Sequence, residues 1–471
     1  MKTLRRPNVL IIYTDQQRWD TLGCYGNSHA VTPHLDRFAS EGARLDRYFV
    51  QNPVCMPSRM SFLTGQYCGM LGIGDNGIPF PEDKVSVHQL LKRYGYHTAQ
   101  IGKLHFQPHS RRDHRDPADD YGFDTFILSD EPGCYDDAYT KWVEAVRPEM
   151  LQKIRTSLPP EAENDRLLNI SGYTDIPRET HEPYVFEGEE DYTHSSFVAS
   201  ETCRFIKRHK DQPFFAIAGF YAPHTPVNPP KRCIDLYDFN QLGLPKLGED
   251  EQFEDFLKDI TAEQWQKIRG YYLALVSHVD DCVGQIMETL RQEGLEEETL
   301  VIFTSDHGEY LGDHGRIQKG MPGHDCIIRV PCMIKYPGKI KPGMVIDQFV
   351  EAVDIVPTIL DYCGIQTPTF VQGQSVKGLL QQESALHKED ILVESFTLYG
   401  SRMTVVRNKD YKYYCDAEGN EILYDLKNDP DELKNVAEEE QYFSALAGMR
   451  KRLIIRLQQA AYQNRNRAAM Y

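Results

Sequence analysis

Five apolar runs in the first three quarters of the chain have the length of buried β-strands. They cover residues 8–14, 97–101, 213–221, 300–304 and 330–336. Because these runs are continuous rather than alternating, they are typical of parallel strands that are covered on both faces. A long stretch between them, residues 261–293, places apolar residues at helical spacing and starts with a Thr-x-x-Gln capping box. The pattern predicts an α/β fold, in which helices flank both faces of a large, mostly parallel sheet.

The pattern changes after about residue 370, where shorter strand-like segments separated by turn residues replace the long apolar runs. These segments cover residues 390–394, 402–407, 411–415 and 421–425. A final amphipathic stretch, residues 444–462, is typical of a helix. We therefore predict a smaller C-terminal domain with an antiparallel sheet and a helix. The large α/β domain would cover residues 1–370, and the C-terminal domain would cover residues 371–471.

Four of the five apolar runs end in polar, ionisable side chains. In chain order these are Asp15 with Gln16, Lys103 with His105, His224, and Asp306 with His307. In open parallel sheets, ligands bind beyond the carboxyl ends of the strands. We therefore expect an active site at this edge of the predicted sheet.

The first and fourth clusters have the composition of a metal site. Asp15, Gln16, Asp306 and His307 offer two carboxylates, an amide oxygen and an imidazole, which together would hold one divalent cation. Mostly oxygen ligands favour a hard ion such as Ca²⁺ or Mg²⁺, while the imidazole also admits Mn²⁺ or Zn²⁺. At this point the alternative stays open that the two aspartates only cap the turns after their strands.

Cationic and imidazole side chains form a second group. Its members are Arg59, Lys103, His105, His224 and Lys319, the last in the loop R-I-Q-K-G. Brought together, they would form a cationic ring that holds a tetrahedral oxyanion and protonates a leaving group. Each of them taken alone could instead be a solvated lysine or a hydrogen-bonded loop histidine.

Composition narrows the choice of partners and compartment. The formal charge of −18 disfavours nucleic acid and anionic membrane surfaces as partners. No apolar segment approaches the length that spans a bilayer, and the apolar run at 9–13 is too short for a signal peptide. The eleven cysteines are odd in number, scattered and without a C-x-x-C pair. We therefore predict a reduced, cytoplasmic protein with no membrane partner and no nucleic-acid partner.

Ordered motifs then point to a family. Residues 55–59 read C-M-P-S-R, and T-G follows at 64–65. Around this motif lie, in order, P-N-V-L-I-I-Y-T-D-Q, G-Y-H-T-A-Q-I-G-K-L-H, P-H-T-P and T-S-D-H-G-E-Y-L-G-D-H-G, with L-Y-D-L-K-N-D-P-D-E-L-K-N-V-A near the end. On these motifs, which extend from about residue 7 to 437, the chain resembles the formylglycine-dependent type I sulfatases of the alkaline phosphatase superfamily.

The resemblance implies hydrolysis of an alkyl, aryl or sugar sulfate ester, and hence a small-molecule or carbohydrate substrate. It implies that Cys55 is oxidised to formylglycine by a formylglycine-generating or other sulfatase-maturating enzyme. The hydrated aldehyde would be both the nucleophile and a ligand of one divalent metal, with Ca²⁺ the ion most expected, and Arg59 would steady it. The remaining metal ligands would be Asp15, Gln16, Asp306 and His307.

Contacts with the substrate follow from the same resemblance. Lys103 and Lys319 would bind the sulfate group, and His105 would assist collapse of the covalent intermediate. His224 would lie near the leaving oxygen. Asn76, in D-N-G-I-P, stands where a related hydrolase would contact its substrate.

Two metal-ligand positions depart from the commonest pattern of the family. Many sulfatases have a second Asp where Gln16 stands, and many have Asn where His307 stands. Loss of one negative ligand weakens a Ca²⁺ site, and Gln at this position also resembles the related phosphonate monoester and phosphodiester hydrolases. Hydrolysis of such phosphorus esters is therefore the alternative function, and a non-catalytic relative with the same fold is a third hypothesis.

Overall fold

The structure of the 471-residue chain is a computed structural model. It describes residues 6–108, 119–156, 182–385, 387–396 and 402–461. All eight strands of the large sheet, the four strands of the small sheet and every predicted site residue fall within these ranges.

The larger sheet has eight strands in the order β4-β3-β5-β1-β6-β7-β2-β8. Their bounds are β1 Asn8–Asp15, β2 Ala43–Phe49, β3 His97–Gly102, β4 Thr125–Leu128, β5 Phe214–Pro223, β6 Thr299–Ser305, β7 Cys332–Lys335 and β8 Met344–Glu351. Every neighbouring pair is parallel except the two pairs formed by β7, which is antiparallel to both β6 and β2. The prediction of a mostly parallel sheet is confirmed.

The sequence pattern found the central strands and missed three others. The predicted runs correspond to β1, β3, β5, β6 and β7, although β7 is shorter than its run and antiparallel. The missed strands are β2, β4 and β8, of which β4 and β8 form the two edges of the sheet. All four residues of β4 are half-buried, and β2 and β8 mix buried residues with half-buried or exposed ones, so none of the three has the continuous buried run that marks a central strand.

The central strand β1 shows why the sheet is covered on both faces. All eight of its residues are buried. Val9 and Ile11 belong to one hydrophobic cluster, and Leu10 and Ile12 belong to another. Successive side chains of a strand point to opposite faces, so the two clusters are the two cores on either side of the sheet.

Helices cover both faces, as predicted. The longer ones are Pro33–Glu41, Cys55–Thr64, Ala138–Val146, His194–His209, Ala262–Gln292, Ile355–Tyr362 and Phe443–Ala461. The shorter ones are Cys68–Leu71, Val87–Lys92, Leu151–Ile154, Lys231–Ile234, Asp325–Ile328 and Lys377–Leu380. The longest helix starts at the expected capping box of Thr261 and Gln264. Within the described ranges, none of the helices is both long and apolar enough to cross a membrane.

The C-terminal part forms a separate sheet of four antiparallel strands in the order β12-β11-β10-β9. Its strands are β9 Asp390–Phe396, β10 Arg402–Asn408, β11 Tyr411–Asp416 and β12 Glu421–Asp425. The helix Phe443–Ala461 packs against it, with Leu446, Met449 and Leu453 in the cluster that also contains Leu392 and Leu423. The small sheet and its helix confirm the predicted architecture, whereas the domain boundary at residue 370 stays a prediction.

Glu351, the last residue of β8, ties the two sheets together through a buried cluster of charges. Its carboxylate accepts hydrogen bonds from Lys388 Nζ at 2.6 Å, Arg456 Nη2 at 2.7 Å, Tyr67 OH at 2.6 Å and the backbone N–H of Leu392 at 2.9 Å. Burial acts to raise the pKa of Glu351, but Arg456 and Lys388 outweigh it and hold the pKa below its usual value. Glu351 is therefore ionised, and it anchors both β9 and the C-terminal helix.

We expect Glu351→Gln to lower the free energy of unfolding by about 3 kcal/mol, because it removes a buried negative charge that compensates two cations. Denaturant unfolding of both proteins measures the difference. The matched control is Glu389→Gln, since Glu389 is 86% exposed and lies 3.7 Å from its cation. The control should change the free energy of unfolding by at most about 0.5 kcal/mol, and equal losses in both variants would contradict the role of Glu351.

Candidate active site

The site begins where the paired strands β1 and β6 end. Thr14 lies beside Ser305 in the parallel register, so the next residues, Asp15 and Asp306, come together. Gln16 has a φ of 64°, in the left-handed region, and its backbone N–H donates to Asp306 Oδ1 at 2.9 Å. This turn directs both carboxylates to one point, with Asp15 and Asp306 fully buried.

Cys55 is the first residue of the helix Cys55–Thr64 and is buried. Val54 before it is extended, and Pro57 occupies the first turn, where a missing N–H costs nothing. Asn52 Oδ1 accepts the N–H of Val54 at 2.8 Å, and Asn76 Oδ1 accepts the N–H of Met56 at 3.0 Å. Asn76 therefore lies next to Cys55, where its oxygen holds the start of the helix, and its contact with the substrate stays a prediction.

Four of the predicted metal ligands form one cluster. Asp15, Cys55, Asp306 and His307 each offer a ligand atom, and these atoms all lie within 4.8 Å of one another. His307 Nδ1 donates to the carbonyl oxygen of Gly308 at 2.8 Å, and this bond directs Nε2 towards the cluster. That Nε2 atom lies 3.1 Å from Cys55 Sγ and 3.7 Å from one oxygen of each aspartate. The arrangement fits one divalent ion.

The fifth predicted ligand, Gln16, is oriented by a residue that the sequence analysis did not single out. Glu309 accepts a hydrogen bond from Gln16 Nε2, so the amide oxygen of Gln16 points the other way, where Lys319 Nζ donates to it at 3.3 Å. The other oxygen of Glu309 accepts the backbone N–H groups of Leu311, at 3.1 Å, and Gln318. Both oxygens of this buried carboxylate are therefore occupied.

Three cations surround the cluster. Arg59 donates from Nε to Asp306 at 2.7 Å and from Nη2 to Asp15 at 3.2 Å, while Lys103 Nζ lies 2.7 Å from Asp15. Lys319 Nζ lies 2.8 Å from Cys55 Sγ. Burial acts to raise the pKa of Asp15, but Lys103 and the neighbouring cations outweigh it and hold that pKa well below its usual range.

Lys319 also connects the position of Cys55 to His224. Its Nζ lies 3.0 Å from His224 Nε2, and His224 Nδ1 donates to the carbonyl oxygen of Thr225 at 2.7 Å. Burial, reinforced by the charge of Lys319, lowers the pKa of His224 well below its usual value. His224 is therefore neutral, with Nε2 accepting from the ammonium group.

His105 is placed by the loop after β3. The backbone N–H groups of Leu104 and His105 both donate to Asp130 Oδ1, at 2.7 and 2.9 Å, and His105 adopts a φ of 59°. The side chain is buried two residues after Lys103. The role of His105 in the chemistry stays a prediction.

Several supporting residues escaped the sequence analysis. Glu309 accepts from Gln16, Asp130 accepts from the loop of His105, and Ser58 donates to the carbonyl oxygen of Asp306 at 2.5 Å. The ring centroid of Tyr221 lies 4.6 Å from Lys103 Nζ, and that of Tyr13 lies 4.7 Å from the guanidinium carbon of Arg59. Glu309 carried the clearest signal, because it stands in S-D-H-G-E only two residues after His307. The tyrosines were indistinguishable from ordinary members of apolar runs.

A small cavity of about 50 Å³ lies on the side of the site marked by His224. Tyr221 and His224 form its wall towards the cluster, and Tyr139, His194, Asn228 and His278 are among the residues of its other walls. Aromatic and polar side chains therefore flank the space next to the Lys319–His224 pair.

Comparison with known proteins agrees with this geometry. Residues 7–365 match the family model described as Sulfatase, and residues 312–460 match that of the C-terminal part of N-sulphoglucosamine sulphohydrolase. The chain is 30% identical to an arylsulfatase of Clostridium perfringens, with 96% of this chain and 95% of the relative covered. It is 26% identical to an N-acetylglucosamine-6-O-sulfatase of Bacteroides thetaiotaomicron, with 93% and 84% covered.

A solved structure shows the same architecture. The phosphonate monoester hydrolase of Agrobacterium radiobacter superposes with a TM-score of 0.80 at 25% sequence identity, and 96% of each chain is covered. The fold and the site thus define a hydrolase built on an alkaline-phosphatase-like sheet. The family match over residues 7–365 shows that the chain belongs to the sulfatase family, as its motifs indicated, and the protein is a sulfuric ester hydrolase. The non-catalytic hypothesis is set aside.

We expect Glu309→Gln to weaken the binding of a divalent metal about 10–100-fold, because the new amide has one acceptor oxygen where Glu309 uses two. Either the Gln16 amide or the loop at residues 311–318 then loses its partner. Calorimetric titration of the metal-free protein with Ca²⁺ and Mn²⁺ measures the change. Glu297→Gln is the control, since it removes the same charge from an exposed residue. Unchanged affinity in the Glu309 variant would contradict its role in orienting Gln16.

Proposed function

We propose that the enzyme hydrolyses its sulfate ester with residue 55 in the formylglycine form and with one divalent metal. Asp15, Gln16, Asp306 and His307 would hold this metal together with residue 55. The observation that carries the proposal is the position of Cys55. Its Sγ lies 3.1 Å from His307 Nε2 and 2.8 Å from Lys319 Nζ, between a metal-ligand position and a cation.

Two groups that the family uses would supply chemistry that the plain side chains lack. The hydrate of an aldehyde at residue 55 would supply a nucleophilic hydroxyl group. A metal in the cluster would polarise the oxygens of the ester. The oxygen donors of Asp15, Gln16 and Asp306 favour Ca²⁺ as the ion, and His307 leaves Mn²⁺, Mg²⁺ and Zn²⁺ as alternatives.

The contacts of Arg59, Lys103 and Lys319 indicate a different role for each cation. Arg59 is occupied by Asp15, Asp306 and the carbonyl oxygen of Lys103, at 3.2 Å, so it orients the two carboxylates. Lys103 is likewise held on Asp15, at the edge of the cluster. We propose that Lys103 and Lys319 neutralise the oxygens of the sulfate group and that Asn76 borders the same space.

Lys319 and His224 are arranged to serve the leaving alcohol. The ammonium nitrogen of Lys319 lies 3.0 Å from His224 Nε2 and donates to the lone pair of that atom. We propose that this pair carries a proton to the leaving oxygen, while the bond to Thr225 keeps the ring oriented. His105, next to Lys103 on its loop, is our candidate for assisting the release of sulfate from residue 55.

The alcohol part of the substrate would lie in the cavity beside His224, whose walls carry aromatic and polar side chains. We propose a small-molecule or carbohydrate sulfate ester as the substrate, with only part of its alcohol group entering this small cavity. The similarity to the N-acetylglucosamine-6-O-sulfatase supports the carbohydrate class. The proposal also includes a formylglycine-generating or other sulfatase-maturating enzyme that acts on Cys55, and the cytoplasmic location stays a prediction.

Hydrolysis of a phosphonate monoester or phosphodiester is the second candidate. It is favoured by one specific observation, the neutral amide of Gln16 at a ligand position, together with the similar architecture of the Agrobacterium radiobacter enzyme. A glutamine at this ligand position resembles the related phosphonate monoester and phosphodiester hydrolases, and this resemblance is the reason for keeping the second candidate.

We expect Cys55→Ser to lower kcat about 10³-fold or more, because a serine offers a single hydroxyl and cannot form the hydrate of an aldehyde. Turnover of an aryl sulfate measures the loss, and Cys203→Ser, at a half-buried thiol of the helix His194–His209, is the control. The peptide 52–65 of the active wild-type protein should have lost one sulfur and two hydrogens and gained one oxygen. Full activity with an intact cysteine mass would contradict the proposal.

Paired kinetics with a sulfate ester and a phosphodiester of the same phenol separate the two candidate functions. We expect kcat/KM to be higher for the sulfate ester, since the leaving group is identical and only the central atom differs. The comparison uses one preparation whose conversion at residue 55 has been measured, so that incomplete maturation affects both substrates equally. A far higher kcat/KM for the phosphodiester would reverse the assignment.

A further inference from the structure

A second group of metal-binding side chains lies outside the catalytic cluster. Glu190 begins a 3₁₀ turn, Cys233 lies in the helix Lys231–Ile234, and His278 lies in the long helix Ala262–Gln292. Each offers one ligand atom, and the three atoms lie within 4.8 Å of one another. Cys233 and His278 are 0% and 2% exposed, whereas the side chain of Glu190 is 31% exposed and opens the group to solvent.

A chain of hydrogen bonds fixes the tautomer of His278. Ser196 Oγ donates to the carbonyl oxygen of Glu190 at 2.8 Å, and Thr193 Oγ1 donates to Ser196 Oγ at 2.9 Å. With the proton of Thr193 placed on that bond, the Thr193 oxygen accepts from His278 Nε2, 2.8 Å away. Nδ1 of His278 then has a free lone pair.

The nearest charged group to this Nδ1 atom is the carboxylate of Glu190. Within the described residues Nδ1 has no hydrogen-bond partner, and it lies 3.5 Å from a carboxylate oxygen of Glu190. A cation between the buried imidazole lone pair and this half-buried carboxylate oxygen would stabilise both groups. A second proton or a metal ion could serve as this cation, and a hydrogen bond that holds the far nitrogen is typical of a metal-ligating histidine.

The surrounding charges suit a divalent cation. Arg232 donates to both oxygens of Glu190, at 2.6 and 3.1 Å, and also pairs with Asp281 at 2.5 Å. With Cys233 as a thiolate, three negative groups face the single positive charge of Arg232, and a divalent ion neutralises the difference. Binding of a metal by Cys233 would release the proton of its thiol.

We propose that Glu190, Cys233 and His278 form a second divalent-metal site, separate from the catalytic one, and that its ion is Zn²⁺. One carboxylate, one thiolate and one imidazole are ligand types that zinc binds in tetrahedral sites, with water able to complete the set on the exposed side. The site would join the turn before the helix His194–His209, the segment after β5 and the long helix. Thr193, Pro230 and His278 also line the cavity beside His224, so the metal would fix the far wall of that cavity.

Cobalt titration tests the site, because a thiolate ligand gives Co²⁺ a near-ultraviolet charge-transfer absorption that oxygen and nitrogen ligands do not give. The experiment uses metal-free Cys55→Ser protein, in which the catalytic cluster has no thiolate to contribute. We expect one equivalent of Co²⁺ to produce the absorption and one equivalent of Zn²⁺ to remove it. No absorption in this protein would overturn the proposal.

Further variants in the Cys55→Ser background locate the ligands. Cys233→Ser should abolish the absorption, whereas Cys203→Ser, at a half-buried thiol, should leave it unchanged. Persistence of the absorption in the Cys233 variant would assign it to another thiol and refute the site. If Cys233→Ser does not fold, Glu190→Gln decides, because Glu190 is partly exposed. It should weaken Co²⁺ binding about tenfold or more, and an unchanged affinity would refute the proposal.

Discussion

The active site depends on one buried arrangement of charges: the guanidinium of Arg59 between the carboxylates of Asp15 and Asp306. The parallel pairing of β1 and β6 brings the two carboxylates together at a fully buried position, where like charges repel strongly. Arg59, itself 1% exposed, compensates them with charged hydrogen bonds at 2.7 and 3.2 Å. Because Arg59 lies one turn after Cys55, the same contact fixes the helix that presents the reactive residue.

The rest of the site is built outwards from that contact. Lys103 pairs with Asp15, and Lys319 extends from a loop to the sulfur of Cys55. Both lysines therefore place positive charge where an anionic ester would bind. Glu309 turns the Gln16 amide so that its oxygen faces inwards. A net charge of −18 for the chain is therefore compatible with an anionic substrate, because local cations decide the potential at the site.

The smaller sheet supplies none of the catalytic residues proposed above, and it is attached to the large sheet through a buried cluster of charges. The Glu351 carboxylate, at the end of β8, accepts hydrogen bonds from Lys388 and Arg456. These bonds fix the C-terminal sheet and helix to the edge of the large sheet. On the opposite side of the centre, the cavity beside His224 is bounded by segments that Glu190, Cys233 and His278 would join through a metal. Both features hold separate parts of the chain around a core whose own strands are continuous and apolar.

The sequence by itself determined the central strands, the long helix, the family and the positions of the chemically competent residues. Those features are local: apolar runs such as 8–14 and motifs such as C-M-P-S-R are complete within a few residues. Only the tertiary structure decided the antiparallel direction of β7, the half-exposed strands β4 and β8, and the partners of Gln16 and His224. Glu309 and Lys319 contact Gln16 although they lie 293 and 303 residues further along the chain. Contacts of that kind follow from sheet register and loop closure, which no short stretch of sequence encodes.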